Sequence, residues 1–433
     1  MINSDRSPWI FESEGFYQLL DSHQEEISGG RGTFQVGADV LGLMDLATSS
    51  PRLYSYRDFQ KVESGDYQVI LPLVSGGRLI LSKLGLKYED LIRELSFQRH
   101  TLLLTDLLAD EGASLYQCEG QIILKSPEGS VSYQGPGTLQ LYPKSIAFFP
   151  LYGEGPVSIP LGSIQDIIPG DYAVKVHSYR GLSCELSKLG SQHTPFCQRL
   201  SDLLKSHLLS IQSMLKEIHP DLPPMETYSL AQLFKEGVAV PQMLIQEASV
   251  SFWEILEKLF KASGPEYPSL TLRMPPDKLS VGIQRGIWGD AEQVYTWGLF
   301  PVYSLNAERP GNSIILEALT GSEDNKATYV FRIMDPEEYG RMTDIKSLES
   351  KMEETRKLIN DCLIDIRFRR EPLYLADENL AKPEGRDYRY SVKCIPALER
   401  LRPLFTGRVI HSSPEQWESD LNKLLSVNIK SKG

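Results

Sequence analysis

The chain carries an internal repeat. Residues 59–96 align without gaps to residues 164–201, at an offset of 105. Of the 38 aligned positions, 13 are identical, whereas unrelated sequences of ordinary composition would share roughly two or three. The longest shared runs are Gly-Asp-Tyr at 65–67 and 170–172, and Leu-Ser-Lys-Leu-Gly at 81–85 and 186–190. A period this long predicts that a whole domain was duplicated.

Each copy of the repeat predicts two strands and a helix. In the first copy, β-forming residues at 67–73 and 78–82 flank residues 74–77, which contain the hairpin signal Gly-Gly. Apolar residues then recur at mostly helical spacing from 88 to 108, which predicts an amphipathic helix. The second copy predicts the corresponding elements: strands at 172–176 and 184–186, a turn at 179–181 and a helix at about 195–218.

Further strands are predicted upstream of the second hairpin. They cover 120–124, 137–142, 145–149 and 157–161, with Gly and Pro turns at 127–129, 135–137 and 153–156. Six or seven antiparallel strands closed by one C-terminal helix resemble the pleckstrin-homology-like superfold, particularly its bacterial and GRAM-like relatives. The resemblance covers residues 113–218 well and 30–110 less well. It implies an α+β class of duplicated, bent antiparallel β-sandwich or barrel units, each capped by a C-terminal helix.

Four segments follow from this interpretation. They are a first pleckstrin-homology-like repeat at 1–112, a second at 113–218, a helical linker at 219–268 and an α+β domain at 269–433. The linker predicts helices near 228–236 and 241–262. The last domain predicts strands at 294–300, 313–319 and 327–333, then a helix at 345–366. It has no residue-level match to the repeats, so a diverged third unit and an unrelated domain both remain open.

Composition argues against several functional classes. A net charge of −12 disfavours a nucleic-acid binder, which needs clustered cations to neutralise phosphates. The apolar stretches are shorter than the roughly 20 residues of a spanning helix, and residues 1–6 show no secretory signal, so we expect a cytoplasmic protein. The five scattered cysteines suggest reduced thiols, and the nucleotide, zinc and hydrolase motifs are missing. We therefore expect no cofactor, no metal and no catalytic residues.

One stretch is locally basic. Residues 367–410 contain ten basic residues against six acidic ones. Arginine planes interleaved with tyrosines can hold phosphates and stack on rings. Intermixed acidic residues favour intramolecular ion pairs as the alternative. The candidate binding residues are Arg367, Arg369, Arg370, Tyr374, Arg389 and Arg408.

The absence of catalytic motifs favours a non-enzymatic intracellular scaffold that binds a protein partner. The C-terminal third concentrates Arg residues together with Trp288, Trp297 and Trp417, which are residue types enriched at interfaces. Family members often bind phosphoinositides through a basic loop between their first two strands. The corresponding loop here, about 125–137, has only Lys125 as a cation, so lipid binding by that route is not expected. The alternatives are peripheral binding of anionic lipid or phosphate through the basic stretch, and an enzyme with a site in the C-terminal domain.

Overall fold

The chain is described by a computed structural model that covers residues 9–109, 112–286, 293–320, 327–380, 382 and 385–430. It divides into two compact units, Met1–Leu204 and Lys205–Gly433. The first unit holds two seven-stranded antiparallel sheets, and the second holds a six-stranded antiparallel sheet with most of the helices. The α+β class is therefore confirmed. The finer boundaries at 112, 218 and 268 stay predictions.

The first sheet is built from residues 11–82 and is followed by one helix. Its elements are β1 (Phe11–Leu20), β2 (Glu26–Val36), β3 (Val40–Asp45), β4 (Pro51–Ser55), β5 (Glu63–Gly65), β6 (Gln68–Pro72), β7 (Arg78–Ser82) and α1 (Tyr88–Asp106). The strand order is β4-β3-β2-β1-β7-β6-β5. Val69, Leu71, Leu79 and Leu81 are fully buried, while the residues between them are less so. This period of two places one face of the hairpin in the core.

The second sheet repeats this order. Its elements are β8 (Tyr116–Lys125), β9 (Val131–Leu141), β10 (Ser145–Pro150), β11 (Val157–Pro160), β12 (Ile164–Gly170), β13 (Ala173–Ser178), β14 (Ser183–Ser187) and α2 (His193–Ile218). The strand order is β11-β10-β9-β8-β14-β13-β12. β1, β2, β3 and β7 begin and end 105 residues before β8, β9, β10 and β14. The offset of the sequence repeat therefore extends upstream to the first strands of each sheet.

The two predicted hairpins have the same turn. Gly76 and Gly181 have φ angles of 97° and 84°, a region that glycine adopts without steric cost. The amide of Gly76 donates to the carbonyl of Leu73 at 3.0 Å, and that of Gly181 donates to the carbonyl of Ser178 at 2.9 Å. The predicted order of strand, turn, strand and helix is confirmed in both copies.

Two details of the prediction are wrong. Residues 135–137 form no turn but lie inside β9. A Cβ on Gly137 would lie 2.6 Å from the side chain of Ile122 and 2.6 Å from the carbonyl oxygen of Phe149, so close packing requires the glycine. The barrel alternative is also wrong: β4 and β5 are the two edges of an open sheet, and no closed barrel forms among the described residues.

The third sheet has a different order. Its strands are β15 (Val240–Pro241), β16 (Ser280–Arg285), β17 (Val294–Ser304), β18 (Gly311–Ala318), β19 (Ala327–Arg332) and β20 (Phe405–Ile410), and each one pairs with the next in sequence. The strand order that the first two sheets share is therefore not repeated here.

Eleven further helices are described in the second unit. They are α3 (Pro224–Leu233), α4 (Gln242–Ala248), α5 (Val250–Ala262), α6 (Glu266–Thr271), α7 (Pro336–Gly340), α8 (Ile345–Asp365), α9 (Glu371–Tyr374), α10 (Asp377–Leu380), α11 (Arg386–Cys394), α12 (Pro396–Leu401) and α13 (Pro414–Val427). The single helix predicted at 241–262 is in fact two. Ser249 separates them, because its side chain accepts a hydrogen bond from the amide of Phe252 and caps α5.

Helix α1 is shared between the two sheets of the first unit. Its first half contributes Leu91 and Leu95 to the core of the first sheet. Its second half packs Leu104 against Phe149 of the second sheet. The hydroxyl of Ser96 donates to the carbonyl of Leu151 at 2.7 Å. The helix therefore fixes the second sheet relative to the first.

A buried ion pair holds the end of α1. Arg57, in the short 3₁₀ helix Tyr56–Asp58 after β4, donates to both carboxylate oxygens of Asp106 at 2.7 and 2.6 Å. The Asp106 side chain is only 1% exposed. A carboxylate so far from water depends on its partner, because removing one member of a buried pair leaves an uncompensated charge.

We predict that Arg57→Ala lowers the free energy of unfolding of the first unit by about 3 kcal/mol, since it removes the guanidinium that donates to both oxygens of the buried Asp106 carboxylate. Urea unfolding followed by circular dichroism measures this change. The control is Lys61→Ala, which removes the exposed pair between Lys61 and Glu63 and should cost less than about 1 kcal/mol. Equal losses in the two variants would contradict the prediction.

Candidate functional site

The basic stretch begins at a tight turn after α8. Arg367 and Phe368 have φ angles of 49° and 59°, and the amide of Phe368 donates back to the carbonyl of Leu363 at 2.8 Å. The ring of Phe368 is buried and lies edge-on to Trp297. The helix ends at this turn, which the buried Phe368 ring holds in place, and Arg369 and Arg370 follow it.

Three of the predicted residues come together around a tyrosine that sequence reasoning missed. The guanidinium carbon of Arg370 lies 4.9 Å from the ring centroid of Tyr329. That of Arg408 lies 4.1 Å from the ring centroid of Tyr374. Tyr329 on β19 and Arg408 on β20 are cross-strand partners. We call Tyr329, Arg370, Tyr374 and Arg408 the Arg–Tyr cluster.

The two arginines of the cluster differ in exposure. Burial lowers the pKa of Arg370, which stays charged because arginine is not deprotonated in proteins. Burial also raises the pKa of Tyr329, which keeps its phenol neutral. Arg408 is exposed and forms no ion pair with the residues that the structure describes. The cluster therefore presents one stacked, uncompensated guanidinium to solvent.

The remaining predicted residues lie outside the cluster as defined, although Arg369 is next to Arg370 in the chain. Arg389 on α11 donates from Nε and Nη2 to the carbonyl of Leu380, at 3.2 and 3.1 Å. This contact satisfies a carbonyl at the end of α10, a structural role. Arg369 is exposed and, within the described ranges, has no carboxylate partner. Arg367 lies in the turn and outside the cluster as defined. Intramolecular pairing, the alternative for this stretch, does occur at Arg402, which donates to Asp377 at 2.7 Å.

Two of the three tryptophans named above are core residues in the described part of the chain. Trp297 and Trp417 are both buried, and the indole of Trp417 donates to the hydroxyl of Thr328 at 2.7 Å. Trp417, on α13, is therefore a core residue and does not expose its ring as an interface residue would. Trp288 lies outside the described residues.

A polar network includes Thr328, the residue that precedes Tyr329 on β19. His411 Nδ1 is 3.4 Å from Glu266 Oε1, and its Nε2 is 3.2 Å from Glu317 Oε1. The hydroxyl of Thr328 donates to Glu317. Glu317 is 1% exposed and Thr328 is 0% exposed. A His between two carboxylates can do acid–base chemistry. Here Glu317 and Thr328 are enclosed, while the side chains of His411 and Glu266 are 15% and 19% exposed.

The two carboxylates keep His411 charged. Burial lowers the pKa of this imidazole, but hydrogen bonds and charge attraction from Glu266 and Glu317 outweigh burial and raise it to about 9. The imidazolium is therefore present at neutral pH and balances Glu317 inside the core.

The side chains of His193 and Cys197, both on α2, are also in contact. Because α2 begins at His193, Cys197 Sγ lies 3.7 Å from His193 Nε2. Pro195 does not disturb this contact, since proline is accommodated in the first turn of a helix. Burial raises the pKa of Cys197, which favours the thiol over the nucleophilic thiolate.

The described ranges lack two features. In them, no group of three or more His, Cys, Asp or Glu side chains could hold a metal ion. Nor does any helix there combine the length and the apolar character needed to cross a membrane.

We predict that the stability of the second unit falls at alkaline pH through His411. Its folded pKa of about 9 lies above the ordinary value of 6.5. The ion pair therefore stabilises fully below about pH 6.5, and this contribution of about 3 kcal/mol is lost as pH rises past about 9. Urea unfolding from pH 6 to 10 should show this slope in the native chain and a flatter one in His411→Gln. The control is His219→Gln, on a histidine that forms no ion pair with described residues. A slope that persists in His411→Gln would refute the assignment.

Comparison with known proteins gives no family. No protein-family model matches the chain, and no curated protein matches it. The chemistry of the described residues is therefore the ground for a functional proposal.

Proposed function

We propose that this protein is a non-enzymatic adaptor that binds an acidic segment of a partner protein through the Arg–Tyr cluster and Arg369. The observation that carries the proposal is the guanidinium of Arg408. It is exposed, stacked on Tyr374 and unpaired with any described carboxylate. A guanidinium offers a planar fork of donors that matches a carboxylate or phosphate.

The stacking of the Arg408 guanidinium on Tyr374 favours binding of an anion by this group. A free arginine side chain loses rotamer entropy when it is fixed in a contact. Arg408 is already held by the Tyr374 ring and by a hydrogen bond to Tyr329. Less entropy is therefore lost when an anion binds, which is the usual benefit of a preorganised site.

The architecture of the first unit supports a tandem pleckstrin-homology-like assignment. Seven antiparallel strands followed by a helix occur twice in the same order. The loop after β1 carries Asp21 and Glu25, and the loop after β8 carries Glu128. Loops of this charge repel phosphoinositides, so a protein-binding role suits these units better than a lipid-binding one.

The net charge argues for a short, discrete ligand. At −12 the chain is repelled by an extended anionic surface such as a membrane or a nucleic acid. A short acidic segment needs only a few cations at one place, which Arg369, Arg370 and Arg408 provide. An acidic peptide is therefore a better match than a vesicle surface.

The described chemistry does not favour catalysis. Glu317 and Thr328 are enclosed, and the Cys197 thiol is held protonated by burial. Each of these groups lacks either access or the protonation state that a nucleophile or general base requires.

We predict that Arg408→Ala weakens binding of acidic peptides by about tenfold, the loss expected for one charge-assisted hydrogen bond. The measurement is fluorescence anisotropy with short peptides rich in Asp and Glu, with and without phosphoserine. Tyr374→Leu should cause a smaller loss, because the guanidinium remains but is no longer preorganised.

The matched control is Arg341→Ala. Arg341 is an exposed arginine of the same unit that pairs with Glu337 at 3.7 Å. If Arg408→Ala and Arg341→Ala bind equally well, the Arg–Tyr cluster is not the site. If phosphatidylserine vesicles bind in co-sedimentation and the peptides do not, the adaptor proposal fails and peripheral lipid binding replaces it.

A further inference from the structure

A cleft of about 220 Å³ lies between α1 and the second sheet, within the first unit. Its floor is a row of cross-strand neighbours, Glu119 on β8, Thr138 on β9 and Phe149 on β10. Its other wall includes Phe97 and His100 of α1. The cleft is below the roughly 300–1,000 Å³ of sites for drug-sized ligands, so it suits a smaller molecule.

His100 is the unusual residue of the cleft. Its side chain is buried, with the residue 1% exposed, and neither ring nitrogen has a hydrogen-bond partner. The ring stacks on Phe149 with centroids 6.2 Å apart. Burial, with a smaller effect of Arg99, lowers the pKa of His100 to about 3, so the ring is neutral. A neutral imidazole offers one donor and one acceptor, and buried polar groups normally have partners.

The opposite end of the cleft is acidic and open. Glu119 is exposed and forms no ion pair in the described part of the chain. Glu94 is partly buried and accepts a hydrogen bond from Gln98 at 2.7 Å. Both carboxylates line the cleft together with one cation, Arg93, which is paired with Asp90 at 3.6 Å. This end therefore favours a positively charged group.

The repeat shows how Glu119 lost its partner. At the offset of 105, Glu14 in the first sheet corresponds to Glu119, and Arg31 corresponds to Pro136. Glu14 is paired with Arg31 at 3.1 Å. In the second sheet the proline cannot form this pair, so the equivalent carboxylate is left for another cation.

We propose that this cleft binds a small aromatic amine whose ring lies against Phe97 and Phe149. A hydrogen-bonding group on the ring meets His100 at the buried end. The ammonium group meets Glu119 and Glu94 at the open end. The proposal rests on the cleft alone and is independent of the Arg–Tyr cluster.

The test is isothermal titration calorimetry of the full chain with three probes. Tyramine carries both the ring hydroxyl and the ammonium group, phenethylamine lacks the hydroxyl, and 3-(4-hydroxyphenyl)propionate carries a carboxylate in place of the ammonium group. We expect tyramine to bind best, phenethylamine to bind roughly five- to tenfold more weakly, and the propionate to show no binding.

Three variants locate the binding. His100→Leu should reduce tyramine affinity to the level of phenethylamine, because the hydroxyl loses its partner. Glu119→Gln should weaken both amines by a similar factor. Glu14→Gln, at the equivalent position of the first sheet, should change neither. Circular dichroism verifies that each variant is folded.

Several outcomes would overturn the proposal. One is the absence of tyramine binding to the native chain at millimolar concentration. Another is binding that is unchanged in both His100→Leu and Glu119→Gln, which would place the ligand elsewhere. Equal affinity for tyramine and the propionate would show that the acidic end plays no part.

Discussion

The first unit depends on a single helix that belongs to two sheets. Helix α1 buries Leu91 and Leu95 in one core and packs Leu104 against the next sheet. Polar contacts also hold α1 in place. Nη2 of the buried Arg99 donates to the carbonyls of Phe59 and Gln60 at 3.1 and 2.8 Å. Because such contacts are directional, they set the position of the helix where apolar packing alone would leave it free to slide.

The position of α1 on the second sheet accounts for the cleft between them. A helix packed on the outer face of the second sheet covers part of the row at Thr138 and Phe149, and it leaves a cleft where the match is incomplete. The same row of the first sheet contains Thr33 and Met44, and Met44 is exposed. The two sheets share one strand order but present different surfaces, because only the second lies beneath the helix that precedes it. Sites of this kind come from the departures between repeats and not from what they share.

Sequence reasoning succeeded where the signal is local. The strands β6 and β7, the Gly76 turn and the start of α8 follow from period, glycine and apolar spacing. The first five strands, β1 to β5, were not predicted. In β2, for example, the Gly29-Gly30 pair lowers the strand propensity. Tyr329 was missed as a site residue because β19 is almost wholly buried, so no alternation of polar and apolar residues marks one of its positions. His100 was missed because the residues around it, such as Phe149, belong to the second sheet. Only tertiary contacts could reveal those roles.

The Arg–Tyr cluster and the overall charge act over different distances. At physiological ionic strength, charges farther apart than roughly 8 Å are largely screened. The net charge of −12 therefore influences approach and solubility, while the bound contact is decided by groups within a few ångströms. An exposed guanidinium stacked on Tyr374 keeps its full attraction for an anion at contact, even in an acidic protein. The net negative charge of the chain also disfavours extended polyanions, which is in keeping with the short acidic segment proposed as the ligand of the cluster.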